Sequence, residues 1–179
     1  MSTYTFSDDL PDDISTAPLL ISGPDSLAFD GKVFLLIHQN DGRKSAYKIR
    51  YEYHCSPFKA AILTNHVLAA GYEACFYLFD ISTDTHLLSL QLSGYFGYLY
   101  IDNGLFYVAD ANGITCINQQ GEVLWDNHQL GTDGVIIDGF TENKISGTGE
   151  WDAPGEWRKF VIAKETGENL PVGEYINLH

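Results

Sequence analysis

The chain has 179 residues, 45% of them hydrophobic, a length at which about 68–70% of the unfolded surface can be buried in a core. Its 24 Asp and Glu against 10 Lys and Arg give a formal charge of −14. Such a field opposes nucleic acid and anionic lipid and favours a basic partner, a cation or simple solubility, while the lack of any long apolar run excludes a membrane-spanning helix.

The first 20 residues hold Asp8, Asp9, Asp12 and Asp13, two prolines, and no Lys or Arg. This opposes a secretory leader, points to the cytoplasm, and predicts an acidic arm over 1–20 ahead of a single all-β domain over 21–179. Punctuation then becomes regular. Asp30-Gly31, Asp41-Gly42, Asn103-Gly104, Asn112-Gly113, Asp133-Gly134 and Asp138-Gly139 tolerate the positive φ of tight hairpin turns, and they separate apolar-rich runs. Tyr47, Ile49, Tyr51 and Tyr53 alternate with Lys48, Arg50, Glu52 and His54, as a half-buried strand requires. The continuous runs 60–63, 67–70 and 74–79 instead predict strands covered on both faces.

These runs repeat. Segments 63–69, 101–107 and 137–140 each place a polar turn between strand-like runs, at spacings of 38 and 36 residues, and a weaker copy at 29–35 lies 34 residues before the first. Four strands per unit are predicted, at 60–64, 67–71, 74–80 and 86–92 in the second unit and at 97–101, 105–109, 113–118 and 122–125 in the third. The fold class is all-β, with four repeated antiparallel β-meander units in a small or partial β-propeller-like arrangement. The third unit, from Gly104-Leu105-Phe106-Tyr107-Val108 through Gly121-Glu122-Val123-Leu124-Trp125, resembles the blades of quinoprotein-type and WD-repeat propellers. That resemblance implies architecture alone. The ligands with which quinoproteins hold their cofactor have no match, and no cofactor is expected.

Laid over the third unit, the fourth is broken by an insertion. Ile101 aligns with Ile137 but Gly121 with Gly167, so the spacing grows from 36 to 46 and about ten residues are added within 147–157, between the second and third strands. The added stretch carries Glu150, Trp151, Asp152, Glu156 and Trp157 with three Gly and one Pro. Loops on a rigid scaffold carry function more often than the scaffold does, and Trp is enriched among interface hot spots. A carboxylate beside an exposed indole suits Lys or Arg, through an ion pair and a cation–π contact together. The alternatives are that both Trp fold back as core plugs, or that Trp and carboxylates bind or cleave a glycan. Gly149-Glu150-Trp151-Asp152, with Pro154-Gly155 and Trp157 following, also resembles a loop of bacterial proteins, a likeness that brings no activity with it. Acidic residues in turns, Asp133 and Asp138 among them, join the expected partner surface. Between residues 60 and 157 stand thirteen acids and a single base, Lys144, whereas Arg43, Lys44, Lys48, Arg50 and Lys59 cluster earlier.

Catalytic signatures are missing. There is no G-x-S-x-G, H-E-x-x-H, P-loop or G-x-G-x-x-G, the six His are scattered, and no metal site is expected. Asp110-Ala111-Asn112-Gly113 opens like a calcium loop but lacks its later Gly and Glu, so a hairpin turn is expected there. Cys55, Cys75 and Cys116 follow no paired spacing and are expected to be buried thiols. The expected function is a non-catalytic acidic module that binds a basic protein, in its most specific form an immunity or antitoxin-type inhibitor of a basic toxin. Glycan binding or cleavage through the Trp and carboxylate loop is the alternative.

Overall fold

The computed structural model describes residues 3–14, 16–38, 42 and 44–171, and their regular secondary structure is strand apart from one short 3-10 helix. By its contacts the chain divides into two compact units, residues 1–91 and 92–179, each built from two small sheets. In the first unit, β1 (Thr3–Ser7), β3 (Gly31–His38), β4 (Lys44–Tyr51) and β2 (Leu19–Leu20) form one sheet in the order β1-β3-β4-β2. Strands β5 (Lys59–Thr64), β6 (Val67–Tyr72), β7 (Cys75–Asp80) and β8 (Thr85–Gln91) form the other, in chain order.

The first sheet departs from the expected meander. Thr3–Ser7 pairs antiparallel with β3, and Leu19–Leu20 pairs parallel with β4, so the segment expected as an arm supplies two strands. Asp30-Gly31 opens β3 with a short 3-10 helix over Pro24–Ala28 before it, so the strand that the repeat wants there comes from the N-terminal segment. Tyr53 falls beyond the end of β4 and is exposed. Asp41 and Arg43 lie outside the described residues. The second sheet follows its sequence pattern closely: all six residues of β6 are buried, and Asn65 takes a φ of 52° in the turn between β5 and β6. Leu35 and Ile49 from one sheet, Ile21 just after β2, and Leu68, Ala70 and Phe79 from the other sheet make a shared core.

In the second unit, β9 (Phe96–Asp102), β10 (Leu105–Asp110), β11 (Ile114–Ile117) and β12 (Val123–Asn127) form an antiparallel meander. Asn103 and Gly104, at φ 48° and 77°, close its first hairpin. The second turn is held by Asp110, a buried carboxylate whose Oδ1 accepts the Asn112 and Gly113 backbone N–H and whose Oδ2 accepts from Ser93. This is a hairpin device, as expected, and among the described residues no cluster able to hold a metal is found.

The fourth sheet has three strands, β13 (Val135–Phe140), β14 (Lys144–Glu150) and β15 (Trp157–Ala163). Asp138-Gly139 is not its turn. The register shifts between Ile137 and Gly139, so the pair forms a bulge inside β13, and the hairpin closes three residues later at 141–143. A bulge and a turn want the same local chemistry, which is why the motif misleads. The loop between the second and third strands, 151–156, is only three residues longer than its counterpart at 111–113, so it holds part of the added residues; the late first hairpin and the longer strands β14 and β15 take up the rest. Tyr107, Cys116 and Trp125 of the meander pack with Leu130, Val135, Ile145, Phe160 and Ile162 of the three-stranded sheet.

The three cysteines are free, but only Cys116 is buried, while Cys75 is half-buried and Cys55 exposed. Cys55 follows the end of β4, where the chain is pinned by the Glu73 carboxylate instead of by a strand ladder: Oε2 accepts the Cys55 and Ser56 backbone N–H, and Oε1 contacts His54 Nδ1 at 2.8 Å. Burial alone would raise the Glu73 carboxyl, yet these hydrogen bonds and the His54 charge hold it below its ordinary value. Partial desolvation and the Glu73 carboxylate push the Cys55 thiol up to about 11, which keeps it protonated and unreactive at neutral pH.

Candidate functional site

The loop between β14 and β15 grows from a hairpin whose parity is fixed by register. Glu150 pairs with Trp157, Gly149 with Arg158 and Gly147 with Phe160. Phe160 and Ile162 face the core, so Trp157, Lys159 and Val161 stand on the opposite face. The loop is tied down at several points: Trp151 N–H donates to Glu156 O at 2.9 Å, Gly155 N–H donates to Glu150 Oε1 at 2.6 Å, and Thr132 Oγ1 donates to the carbonyls of Glu150 and Trp151. Side-chain and backbone bonds of this kind pre-organise a loop and lower the entropy lost when it binds.

The two indoles end in different surroundings. Trp151 is half-buried and lines a cavity of about 230 Å³ with Leu130, Phe160 and Leu170. The Arg158 guanidinium lies 5.4 Å from the Trp151 ring centroid and pairs with Glu156 at 2.6 Å. The indole, carboxylate and guanidinium expected of a partner contact are thus assembled here from the chain itself.

Trp157 is 44% exposed. Its indole reaches across the outer face of the sheet toward Gly134: a Cβ placed on Gly134 would lie 3.5 Å from Trp157 Cη2 and 3.8 Å from Tyr95 Oη. Gly134 also sits at φ 149°, and its carbonyl accepts the Glu150 N–H at 2.9 Å. Asp133, in the same turn, is exposed, and both its carbonyl and its Oδ1 accept from the Tyr95 hydroxyl. Burial, then the Asp133 carboxylate and more weakly Glu150, push that hydroxyl up to about 12, so it stays a donor at neutral pH. Asp133 makes no ion pair with a described residue.

Of the seven residues expected on a partner surface, Glu150, Trp157 and Asp133 come together on the outer face. Trp151 and Glu156 are engaged with Arg158, and Asp152 is exposed in the loop, where its carbonyl accepts the Glu156 N–H. Asp138 sits in the β13 bulge, toward the other end of the sheet. Tyr95, Gly134, Arg158 and Lys159 were not anticipated; the alternation of Phe160 and Ile162 with Lys159 and Val161 would have separated the two indoles by face. A second, polar cavity of about 420 Å³, lined by Asp126, His128, Thr166 and Glu168, shares Gln129 and Asn169 with the one under Trp151. By sequence, residues 92–179 carry thirteen acids against four bases, and residues 1–91 eleven against six.

No family model matches the chain, and no curated protein matches it. Among solved structures, Kluyveromyces lactis Hsv2 is similar over 77% of this chain at 8% identity and a TM-score of 0.41, and this chain spans 57% of that one. A likeness of that order says nothing about function. Among the described residues no helix is long and apolar enough to cross a membrane.

Proposed function

We propose that this protein is a non-catalytic, acidic binding module, built on a blade-like scaffold of the quinoprotein or WD-repeat kind, that seats a Lys or Arg of a basic protein on Trp157 between Asp133 and Glu150. One observation carries the reading. Trp151 already holds a guanidinium with a carboxylate beside it, whereas Trp157 is exposed beside an acidic residue that has no cation among the described residues. An aromatic face with a carboxylate at its rim is worth about 0.5–2 kcal/mol to a cation through the ring alone, more when the contact is desolvated. The excess of acid over base would steer a basic partner and weaken with salt. In its most specific form the partner is a toxin whose cationic active site the module covers.

A second reading is favoured by the cavity that Trp151 lines and the polar cavity adjoining it, where Asp126 and Glu168 stand, since an indole with amides and carboxylates nearby suits a glycan. Capture of the partner from host lysate, followed by titration with purified components, separates the two. The first reading expects a basic protein whose association slows with salt and whose affinity falls in Trp157→Ala. An acidic partner, or unchanged affinity in Trp157→Ala, contradicts it. A signal on an oligosaccharide array that Trp151→Ala abolishes would put the second reading in its place.

A further inference from the structure

The first sheet sets like charges against each other. In β3 and β4 the side chains of Val33, Leu35, Tyr47 and Ile49 face the core, so Lys32, Lys48 and Arg50 stand on the outer face. The register pairs Lys32 directly with Arg50 and sets Lys48 opposite Phe34, two residues along the same face. Directly opposed side chains have Cβ atoms about 4.5–5.5 Å apart, and like charges at that spacing destabilise a sheet. Acids are plentiful in this chain, and Asp25, Asp30 and Glu52 lie close in sequence. Even so, none of the three cations makes an ion pair with a described residue. Folding gives no reason for this arrangement.

Arg50 is also held in place. Its Nη1 donates to Phe29 O at 2.5 Å and to Leu27 O at 3.4 Å, which fixes the guanidinium against the end of the 3-10 helix. Its Nε is buried and bonds no described group. A buried donor without an acceptor is destabilising and calls for a physical account. Farther along the same face Leu10 and Ile14 pack over Phe34, Leu36 and Ala46, whereas Lys32 is exposed.

We propose that the outer face of β3 and β4 at Lys32, Lys48 and Arg50 binds the phosphate group of a small anion, either inorganic phosphate or a monoester. Arg50 supplies direction: with Nη1 committed to Phe29 and Leu27, Nε and Nη2 form the edge of the fork that takes two oxygens of one oxyanion. Lys32 adds charge from the opposite strand and Lys48 from the same strand. Three cations suit a doubly charged phosphate better than a singly charged carboxylate. A phosphate here gives Nε its acceptor and turns the repulsion between Lys32 and Arg50 into a shared attraction. This face belongs to the unit of residues 1–91, and the proposal does not rest on the reading of Trp157.

Inorganic phosphate, glycerol phosphate and acetate are titrated into the full chain at matched ionic strength, and the Arg50 Nε–H resonance and the melting temperature are followed. Phosphate is expected to shift that resonance with a Kd of about 1 mM, about tenfold tighter than acetate, and to raise the melting temperature by about 3 °C at tenfold excess over Kd. Phosphate also stabilises proteins by exclusion from their surface, so the variants decide. Lys32→Gln removes the opposed charge. Without phosphate it should melt at or above the wild-type temperature, while its phosphate affinity falls about fivefold. A structural role for Lys32 would give the reverse, earlier melting with affinity unchanged. Arg50→Lys keeps the charge but loses the fork, and about tenfold weaker binding is expected. Should that variant fail to fold, the Nε–H resonance and Lys32→Gln still test the site. An unmoved Nε–H resonance, wild-type phosphate affinity in Lys32→Gln, or acetate binding as tightly as phosphate would overturn the proposal. Tighter binding of glycerol phosphate than of phosphate identifies a monoester as the ligand, and equal or weaker binding identifies inorganic phosphate.

Discussion

Trp151 and Trp157 begin and end one short loop, and the chain treats them differently. Trp151 lies on the core side, with Leu130 and Phe160 lining the cavity beside it and the Arg158–Glu156 pair over it. Trp157 lies on the outer side, against Gly134 and near a carboxylate that has no cation of its own among the described residues. Within six residues, one indole is spent on folding and the other is left for contact. The difference follows from strand parity: a side chain one position off the core alternation is turned outward, and a neighbour without a side chain gives it a surface to lie on.

The largest effect should come from the closed side. A Cβ on Gly149 would lie 1.7 Å from the Leu130 carbonyl, a backbone atom that cannot swing aside. Gly149→Ala should cost on the order of 3 kcal/mol or more in urea unfolding, unless the segment carrying Leu130 moves without loss. Trp151→Ala comes next, at about 2–3 kcal/mol of stability for a partly buried aromatic, with partner affinity per folded molecule unchanged. An equal loss of stability in Trp157→Ala would erase the distinction between the two indoles.

Carboxylates repeat the contrast between spent and available groups. Glu73 in the first unit is spent, its oxygens accepting from Cys55, Ser56 and His54. Because its folded value is depressed, its contribution to stability is fully present above the ordinary carboxylate value of about 4.3 and is lost as pH falls through the lower folded value. Glu73→Gln should therefore destabilise the protein by about 1–2 kcal/mol at pH 7 and lessen the fall in stability on the acid side. A fall in stability between pH 5 and 3 identical to that of wild type would contradict this assignment. Asp133 is the available kind. Asp133→Asn should leave the melting temperature unchanged and reduce partner affinity by about 0.5–1 kcal/mol, chiefly through a slower association rate whose salt dependence is shallower.

Much of the scaffold was legible in the sequence because its local signals agree. Expected strands at 97–101 and 105–109 became Phe96–Asp102 and Leu105–Asp110, since Asn103-Gly104 fixes the turn and an apolar run flanks it on either side. The N-terminal strand was missed although Thr3–Ser7 alternates Tyr4 and Phe6 with Thr and Ser: the acidic residues and prolines that follow outweighed it, and the β3 edge it pairs with is a long-range partner that local composition does not record. Asp138-Gly139 carried turn chemistry into a bulge and displaced the first hairpin of the fourth unit by about three residues. Only part of the added residues lies in the loop where the insertion was expected, and its two indoles were treated alike, because which face each occupies depends on the pairing of Glu150 with Trp157, and loop length sets that register.

The contrast between the two indoles is tested most directly by measuring binding and stability together on Trp151→Ala and Trp157→Ala. The partner captured from lysate is purified, titrated against each variant, and the melting temperature recorded in the same buffer. Trp157→Ala is expected to lose about 2 kcal/mol of binding with its melting temperature within about 2 °C of wild type, and Trp151→Ala to lose several degrees of melting temperature while binding as wild type does per folded molecule. The opposite pattern, with Trp157→Ala melting early and binding normally, would show that Trp157 is the structural indole and contradict the account.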